Sequence, residues 1–216
     1  MSVPALLFDL DGTLTDPRPG IVACLRHAME GLGRACPDDE VLATLIGPPL
    51  RGTFARLLAT TDGDRIEAAM GLYRERYGET GLYENRVYDG IREMLAEVAA
   101  RAPAVFVATS KPTVYAERIV RHFGLDRHFT RVYGVDLGGR LDDKKDLLAH
   151  LLERERLTAA DTVMIGDRAA DVLAARANGV RAIGVLWGYG SEPELRAAGA
   201  EVLCAEPRAL AGCLTA

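Results

Sequence analysis

The 216-residue sequence predicts an α/β fold on a parallel sheet, with an all-helical module inserted behind the first strand. Short, almost continuous apolar runs recur along the chain, helical patterns lie between them, and about 70 residues near the start contain no strand-like run.

The apolar runs are Ala5–Leu10, Ala104–Ala108, Val132–Val135, Thr162–Ile165, Val180–Leu186 and, more weakly, Glu201–Cys204. Unbroken Val, Ile, Leu and Phe suit strands buried on both faces, as in a parallel sheet. Between them, Val114, Ile119, Val120 and Phe123 recur at helical spacing, entered after Pro112 and stopped at Gly124, the expected placement of proline and glycine. Leu147, Leu148, Leu151 and Leu152 form another stripe, and a helix from about Arg168 to Ala177 stops at Asn178-Gly179. Strand and helix in alternation imply right-handed crossovers.

From about Asp16 to Arg86 the pattern changes. Ile21, Val22, Leu25, Ala28, Met29 and Leu32 mark an amphipathic helix, and Glu40–Leu45, Gly52–Leu58 and Arg65–Arg76 read as helical, as does Gly90–Ala100 further on. A strand-to-helix loop usually takes roughly 2–6 residues, so this stretch is an inserted module. The expected division is 1–15 with 87–216 for the sheet, and 16–86 for the insert.

Composition narrows the function. Hydrophobic residues make up 49% and charged residues 26%, the balance of a globular protein, and net charge is −5. Mean hydropathy is +0.03. Nothing basic invites nucleic acid or an anionic membrane, and no apolar stretch approaches the roughly 20 residues of a span. The opening Met1–Asp9 has no basic segment before its apolar run, which Asp9 ends, so a secretory leader is not expected and the cytoplasm is. Cys24, Cys36, Cys204 and Cys213 form no metal-like pair and read as reduced thiols. His27, His122, His128 and His150 show no ligand spacing.

Three apolar runs end in polar clusters. They are Asp9-Leu10-Asp11-Gly12-Thr13-Leu14-Thr15, Thr109-Ser110-Lys111-Pro112 and Gly166-Asp167-Arg168-Ala169-Ala170-Asp171. Ligands of open α/β sheets bind beyond the carboxyl ends of the strands, so these clusters should converge. Asp9 and Asp11, two apart, point to one side of a strand. With Asp167 and Asp171 they would crowd four carboxylates, which a hard divalent cation relieves, and Mg²⁺ suits few carboxylates plus a phosphate. Lys144 could supply positive charge, Thr109 and Ser110 hydroxyls, and the helix after Pro112 an N-terminus that favours phosphate. Together these make a phosphoryl-transfer site. No G-x-x-x-x-G-K-[ST] or G-x-G-x-x-G loop is present, and Gly188-Tyr189-Gly190 lacks a third glycine. An ionised Asp can itself be the nucleophile, and a second carboxylate the acid and base. Simpler roles compete: helix entry for Thr109 and Ser110, capping for Asp171, a solvated side chain for Lys144, and surface charge for Arg51 and Lys111.

These motifs resemble the haloacid dehalogenase superfamily of phosphatases. Asp9–Thr15 is similar to its D-x-D-G-T-[LV]-x motif, Thr109 to its strand-end Thr or Ser, Lys144 to its lysine, and Gly166-Asp167 with Asp171 to G-D-x-x-x-D. The resemblance implies a Rossmann-like, three-layer core with an α-helical cap that closes over small substrates. It implies Asp9 as nucleophile and Asp11 as general acid and base. Mg²⁺ would be held by Asp9, the Asp11 backbone carbonyl and Asp167, with Asp171 ordering the metal's surroundings. Thr109, Ser110 and Lys144 would hold the phosphoryl group. Lys145 adjoins Lys144 and is the alternative; spacing to Leu147-Leu148 favours Lys144. Ile46-Gly47-Pro48-Pro49-Leu50, Thr109-Ser110-Lys111-Pro112 and Gly188-Tyr189-Gly190-Ser191 resemble the phosphoglycolate phosphatase-like and 5'-nucleotidase-like branch, with Arg51 and Lys111 as candidates to face substrate. A sugar-phosphate mutase, or a phospho-accepting receiver-like signalling domain, is the alternative reading.

Overall fold

The structure, a computed structural model, describes residues 4–47, 50–136 and 141–215. Met1–Val3 and the Pro48-Pro49 pair lie outside them. The chain forms two units, Met1–Asp16 with Val87–Ala216, and Pro17–Arg86.

In chain order, the sheet unit begins with β1 (Ala5–Phe8) and the two-residue β2 (Thr15–Asp16). The second unit holds α1 (Arg18–Gly31), α2 (Asp39–Ala43), α3 (Leu50–Leu57) and α4 (Gly63–Arg76), followed by a π-helical turn at Tyr77–Gly81. After β3 (Arg86–Val87) come α5 (Ile91–Ala99), β4 (Val105–Pro112), α6 (Thr113–His122) and β5 (Arg131–Val135). The chain then runs through α7 (Lys144–Glu155), β6 (Thr162–Gly166), α8 (Ala169–Ala177), β7 (Arg181–Val185), α9 (Glu192–Ala198), β8 (Val202–Cys204) and α10 (Leu210–Cys213).

Six strands form one sheet in the order β5-β4-β1-β6-β7-β8, with every pairing parallel. β1 lies between β4 and β6, with Leu6 opposite Val105 on one side and Val163 on the other. All four of its residues are buried, which explains a run without alternation. On one face Leu7, Phe106 and Met164 pack with Leu147, Leu148 and Leu151 of α7 and Val172 and Ala175 of α8. Truncating such a residue, as in Leu7→Ala, costs about 2–5 kcal/mol through lost burial and the cavity left behind. From β1 the chain order runs outward one way through β4 and β5, the other through β6, β7 and β8. The polar residues at the carboxyl ends of β1, β4 and β6 therefore lie at the switch point where such sheets bind ligands.

Two helices, α9 and α10, are additions to the sequence reading. α9 carries a Ser191 cap whose side chain accepts from the Glu194 amide, proline in its first turn and Gly199 at its end in the left-handed conformation. It buries only Leu195 and Ala198, too few to leave an apolar stripe.

In the helical unit, α1 buries Val22, Leu25, Ala28 and Met29, and α4 buries Ile66, Ala69, Met70 and Tyr73. Tyr73 stacks on Tyr77 at 5.4 Å between centroids and meets Phe54 edge-on at 6.1 Å. Gly20 is required by contact: a Cβ there would lie 1.9 Å from the Gly81 carbonyl oxygen. Arg76 forks onto Glu84 at 2.7 and 3.0 Å and donates to Cys24 Sγ. Among the described residues no helix is long and apolar enough to cross a membrane.

Candidate active site

Three strand ends in the sheet unit build the site. Past β1, the Asp9 amide donates to Ile165 O of β6 at 2.9 Å, which fixes Asp9 beside the next strand. The chain then turns tightly, with the Leu14 and Thr15 amides donating to Leu10 O at 2.9 and 3.0 Å. Gly12 has φ +87°, and a Cβ on it would lie 2.3 Å from Asp167 Oδ2. Both the backbone conformation and the neighbouring carboxylate exclude a side chain there.

β4 runs beyond the Ala104–Ala108 reading and reaches Pro112. Its register slips at the end: Ala108 faces Tyr133, yet Pro112 faces Val135. The extra residues between them, Thr109-Ser110-Lys111, are the polar cluster. An irregularity of this kind re-aims side chains at a sheet edge, and period-two alternation cannot reveal it. Gly134 makes room, since a Cβ there would lie 2.3 Å from the Lys111 carbonyl oxygen.

β6 ends in Gly166, where a Cβ would meet Asp171 Cγ at 2.2 Å. Asp167 is fully buried and Asp171 is 1% exposed. Asp171 lies in the first turn of α8 and accepts the Arg168 amide at 2.9 Å. It is thus a cap and a cluster member together.

Donor atoms of Asp9, Asp167 and Asp171 lie within 4.8 Å of one another. Lys144 pairs with Asp9 at 2.9 Å and with Asp171. It shares the inward face of α7 with Leu147, Leu148 and Leu151, whereas Lys145 points outward and pairs with Asp146. Lys111, which the sequence left between substrate contact and surface charge, is neither solvated nor isolated: its ammonium lies 2.8 Å from Asp11 Oδ2, with its side chain 7% exposed. Thr109 is buried and its hydroxyl accepts the Lys111 amide at 3.2 Å; Ser110 is exposed. Arg51 lies in the other unit, on α3, where it pairs with Glu67.

Four carboxylates (Asp9, Asp11, Asp167, Asp171) therefore face two ammonium groups (Lys111, Lys144), which leaves a net −2 when all are ionised. The consequences appear as shifted protonation. Burial first, then Asp171 and Asp9, push the Asp167 carboxyl up to about 7. Burial pushes Asp171 up to about 6, opposed by Lys144. Burial also raises Asp11, opposed by Lys111. Burial alone would lower Lys144, but Asp171 and Asp9 outweigh it and keep the ammonium protonated. Asp9 Oδ1 and Asp171 Oδ1 are buried against the Lys144 ammonium, and Asp11 Oδ1 is buried without a hydrogen bond. Crowded carboxylates carrying two more negative charges than their lysines offset fit a hard divalent cation.

Sequence reading missed two partners of Asp167. The Thr13 hydroxyl donates to Asp167 Oδ1 at 3.1 Å, and the Tyr189 amide donates to Asp167 Oδ2 at 2.8 Å. Tyr189 belongs to the Gly188-Tyr189-Gly190 segment, which failed as a dinucleotide motif. Its glycines have a steric reason: a Cβ on Gly188 would lie 2.4 Å from Asp167 Cβ, and one on Gly190 1.8 Å from Asp167 O. The usable signal was a glycine pair just past a strand at the same sheet edge.

A parallel sheet with an acidic and lysine cluster at its switch point defines the class as an α/β hydrolytic or phosphoryl-transfer domain. The chain belongs to the haloacid dehalogenase-like hydrolase family, whose model matches residues 6–185. It is 49% identical over 207 residues to a 5'-nucleotidase of Pseudomonas aeruginosa, covering 96% of this chain and 93% of that one. It is 40% identical over 185 residues to the tyrosine-protein kinase PtkA of Mycobacterium tuberculosis, covering 86% of this chain and 62% of that one. Among solved structures, a predicted phosphatase from Clostridium acetobutylicum superposes with a TM-score of 0.93 at 34% identity, covering 100% and 99% of the two chains.

Proposed function

We propose that this protein is a Mg²⁺-dependent phosphomonoester hydrolase for a small phosphorylated metabolite, a nucleoside 5'-monophosphate or a phosphoglycolate-like ester, acting through an aspartyl-phosphate. The carrying observation is the buried Asp9, Asp167 and Asp171 triad, its donor atoms within 4.8 Å, beside Lys144. The 5'-nucleotidase relative supports the substrate class.

In this reading Asp9 attacks phosphorus, and an Asp9 oxygen–phosphorus bond forms as the ester oxygen–phosphorus bond breaks. Asp11 gives its proton to the leaving oxygen, and burial, which raises that carboxyl, favours the proton-carrying form. Asp11 then takes a proton from water as the water oxygen attacks phosphorus, which frees inorganic phosphate and restores Asp9 and protonated Asp11. Lys144 and Thr109 hold the phosphoryl oxygens, with Ser110 beside them; Lys111 keeps Asp11 in place. Mg²⁺, held by Asp9, the Asp11 backbone carbonyl and Asp167 with Asp171 in support, would offset charge on the transferring group. The 17–86 unit is the cap that selects substrate, with Arg51 as its candidate contact. The reaction belongs in the cytoplasm, where the thiols stay reduced.

A phosphate-release screen over nucleoside monophosphates, phosphoglycolate and sugar phosphates, ranked by kcat/KM, tests this reading. Release from one of the first two classes, dependent on Mg²⁺, is expected. No release from any ester would overturn it, and a requirement for a bisphosphate primer would identify a mutase.

A further inference from the structure

Tyr189 touches two buried carboxylates far apart in sequence. Its amide donates to Asp167 Oδ2 at 2.8 Å, and its hydroxyl donates to Asp16 Oδ1. Asp167 belongs to the carboxylate triad. Asp16, 5% exposed, ends β2 and is the last residue of the sheet unit before the chain leaves it. Trp187 makes a parallel connection, for its indole Nε1 donates to Thr13 O at 2.8 Å while the Thr13 hydroxyl donates to Asp167 Oδ1. Both oxygens of Asp167 are thus held by groups tied to the 187–190 turn.

The turn has little freedom to move without Asp167. Gly188 packs against Asp167 Cβ and Gly12 O, and Gly190 against the Asp167 carbonyl, each closer than any side chain allows. A shift at the Tyr189 hydroxyl is therefore carried to the carboxylate by the backbone of the same residue. Groups one step behind a metal ligand orient it and tune its affinity.

We propose that Tyr189 is a positioning residue that couples cation binding at Asp167 to the order of the Thr13–Asp16 segment. The inference rests on the triad being a Mg²⁺ site, but adds a residue outside the ligand set. Coupling of this kind is reciprocal, so cation binding should steady the segment, and cutting the Asp16 tie should weaken cation binding.

The test compares the full-length protein with Tyr189→Phe, which keeps the ring and its charge state while removing one donor. Mg²⁺ is titrated calorimetrically into metal-free protein, and amide exchange of residues 13–16 is followed with and without Mg²⁺. The variant should bind Mg²⁺ about tenfold more weakly, the lower end for groups behind a metal ligand. Exchange at 13–16 should slow on Mg²⁺ addition in the parent and respond less in the variant. An unchanged Kd with an unchanged exchange response overturns the proposal, even if Tm falls, because a merely structural tie would move Tm alone. If the variant does not fold, Asp16→Ala, which cuts the same tie from its other end, replaces it in the same two measurements, with the same loss expected and the same null result decisive. A parent that binds no Mg²⁺ removes the metal reading and this coupling together; a parent that binds beside an unaltered variant removes the coupling only.

Discussion

Replacing Asp167 by Asn isolates the electrostatic strain of the metal-free cluster. In the folded chain burial, Asp171 and Asp9 hold this carboxyl up to about 7, against an ordinary 3.8. Between about pH 4 and pH 7 the folded chain keeps a proton here that the unfolded chain has released. Raising pH through that window withdraws the proton and destabilises the fold, so the stabilising contribution is complete at the acid end and gone above about pH 7. At 1.36 kcal/mol per pH unit, the gap amounts to about 4 kcal/mol. Asn cannot ionise, and with its carbonyl oxygen toward the Tyr189 N–H and its NH2 toward the Thr13 hydroxyl it keeps both neighbours, so whatever it costs does not vary with pH. Urea unfolding in EDTA at constant ionic strength, from pH 4.5 to 8, gives both curves, and their difference cancels every group the two proteins share. The variant should gain on the parent by about 3–4 kcal/mol across the window. Mg²⁺ at 100 times its Kd should then return about 2.7 kcal/mol to the parent at pH 8, with little for the variant. A stability difference that stays flat with pH would refute the claim that Asp167 is a strained, ionisable member of the cluster.

Four further outcomes follow from the same geometry. Asp9→Asn should abolish phosphate release while circular dichroism and Tm show an intact fold; residual turnover near the parent value would remove Asp9 as nucleophile. Asp11→Asn should lower kcat about 10²–10⁴-fold, the usual worth of a positioned acid and base, in steady-state assays. Lys144→Met leaves Asp9 and Asp171 facing each other without their cation, and chemical denaturation at pH 8 should show a loss of about 3–5 kcal/mol. EDTA should stop turnover and added Mg²⁺ restore it, read as initial rates before and after dialysis.

The strands were legible because burial on both faces leaves uninterrupted apolar runs, as in Ala5–Phe8. Asp9 and Asp167 were legible for a related reason, since an acid at the end of such a run has no packing role. Lys144 was separable from Lys145 by helical phase, as it falls one turn before Leu147 and Leu148. Lys111 was not, because its inward course depends on the register slip after Ala108, a property of the β4 and β5 pairing. The Trp187–Gly190 turn was equally hidden, for its ties to Thr13 and Asp167 span 174 and 22 residues and follow no local period. α9 was missed for brevity rather than for lack of signals, since its serine cap, early proline and terminal glycine are all present.

The central place of β1 has a consequence for synthesis on the ribosome. Ala5–Phe8 is made well before its two sheet neighbours, Val105–Pro112 and Thr162–Gly166. At translation speeds of about 5–20 residues per second, this sticky tetrapeptide waits on the order of ten seconds or more before both flanks exist. The sheet therefore cannot close around its central strand until Thr162–Gly166 has been made, so β1 gains both partners late although it is made before either.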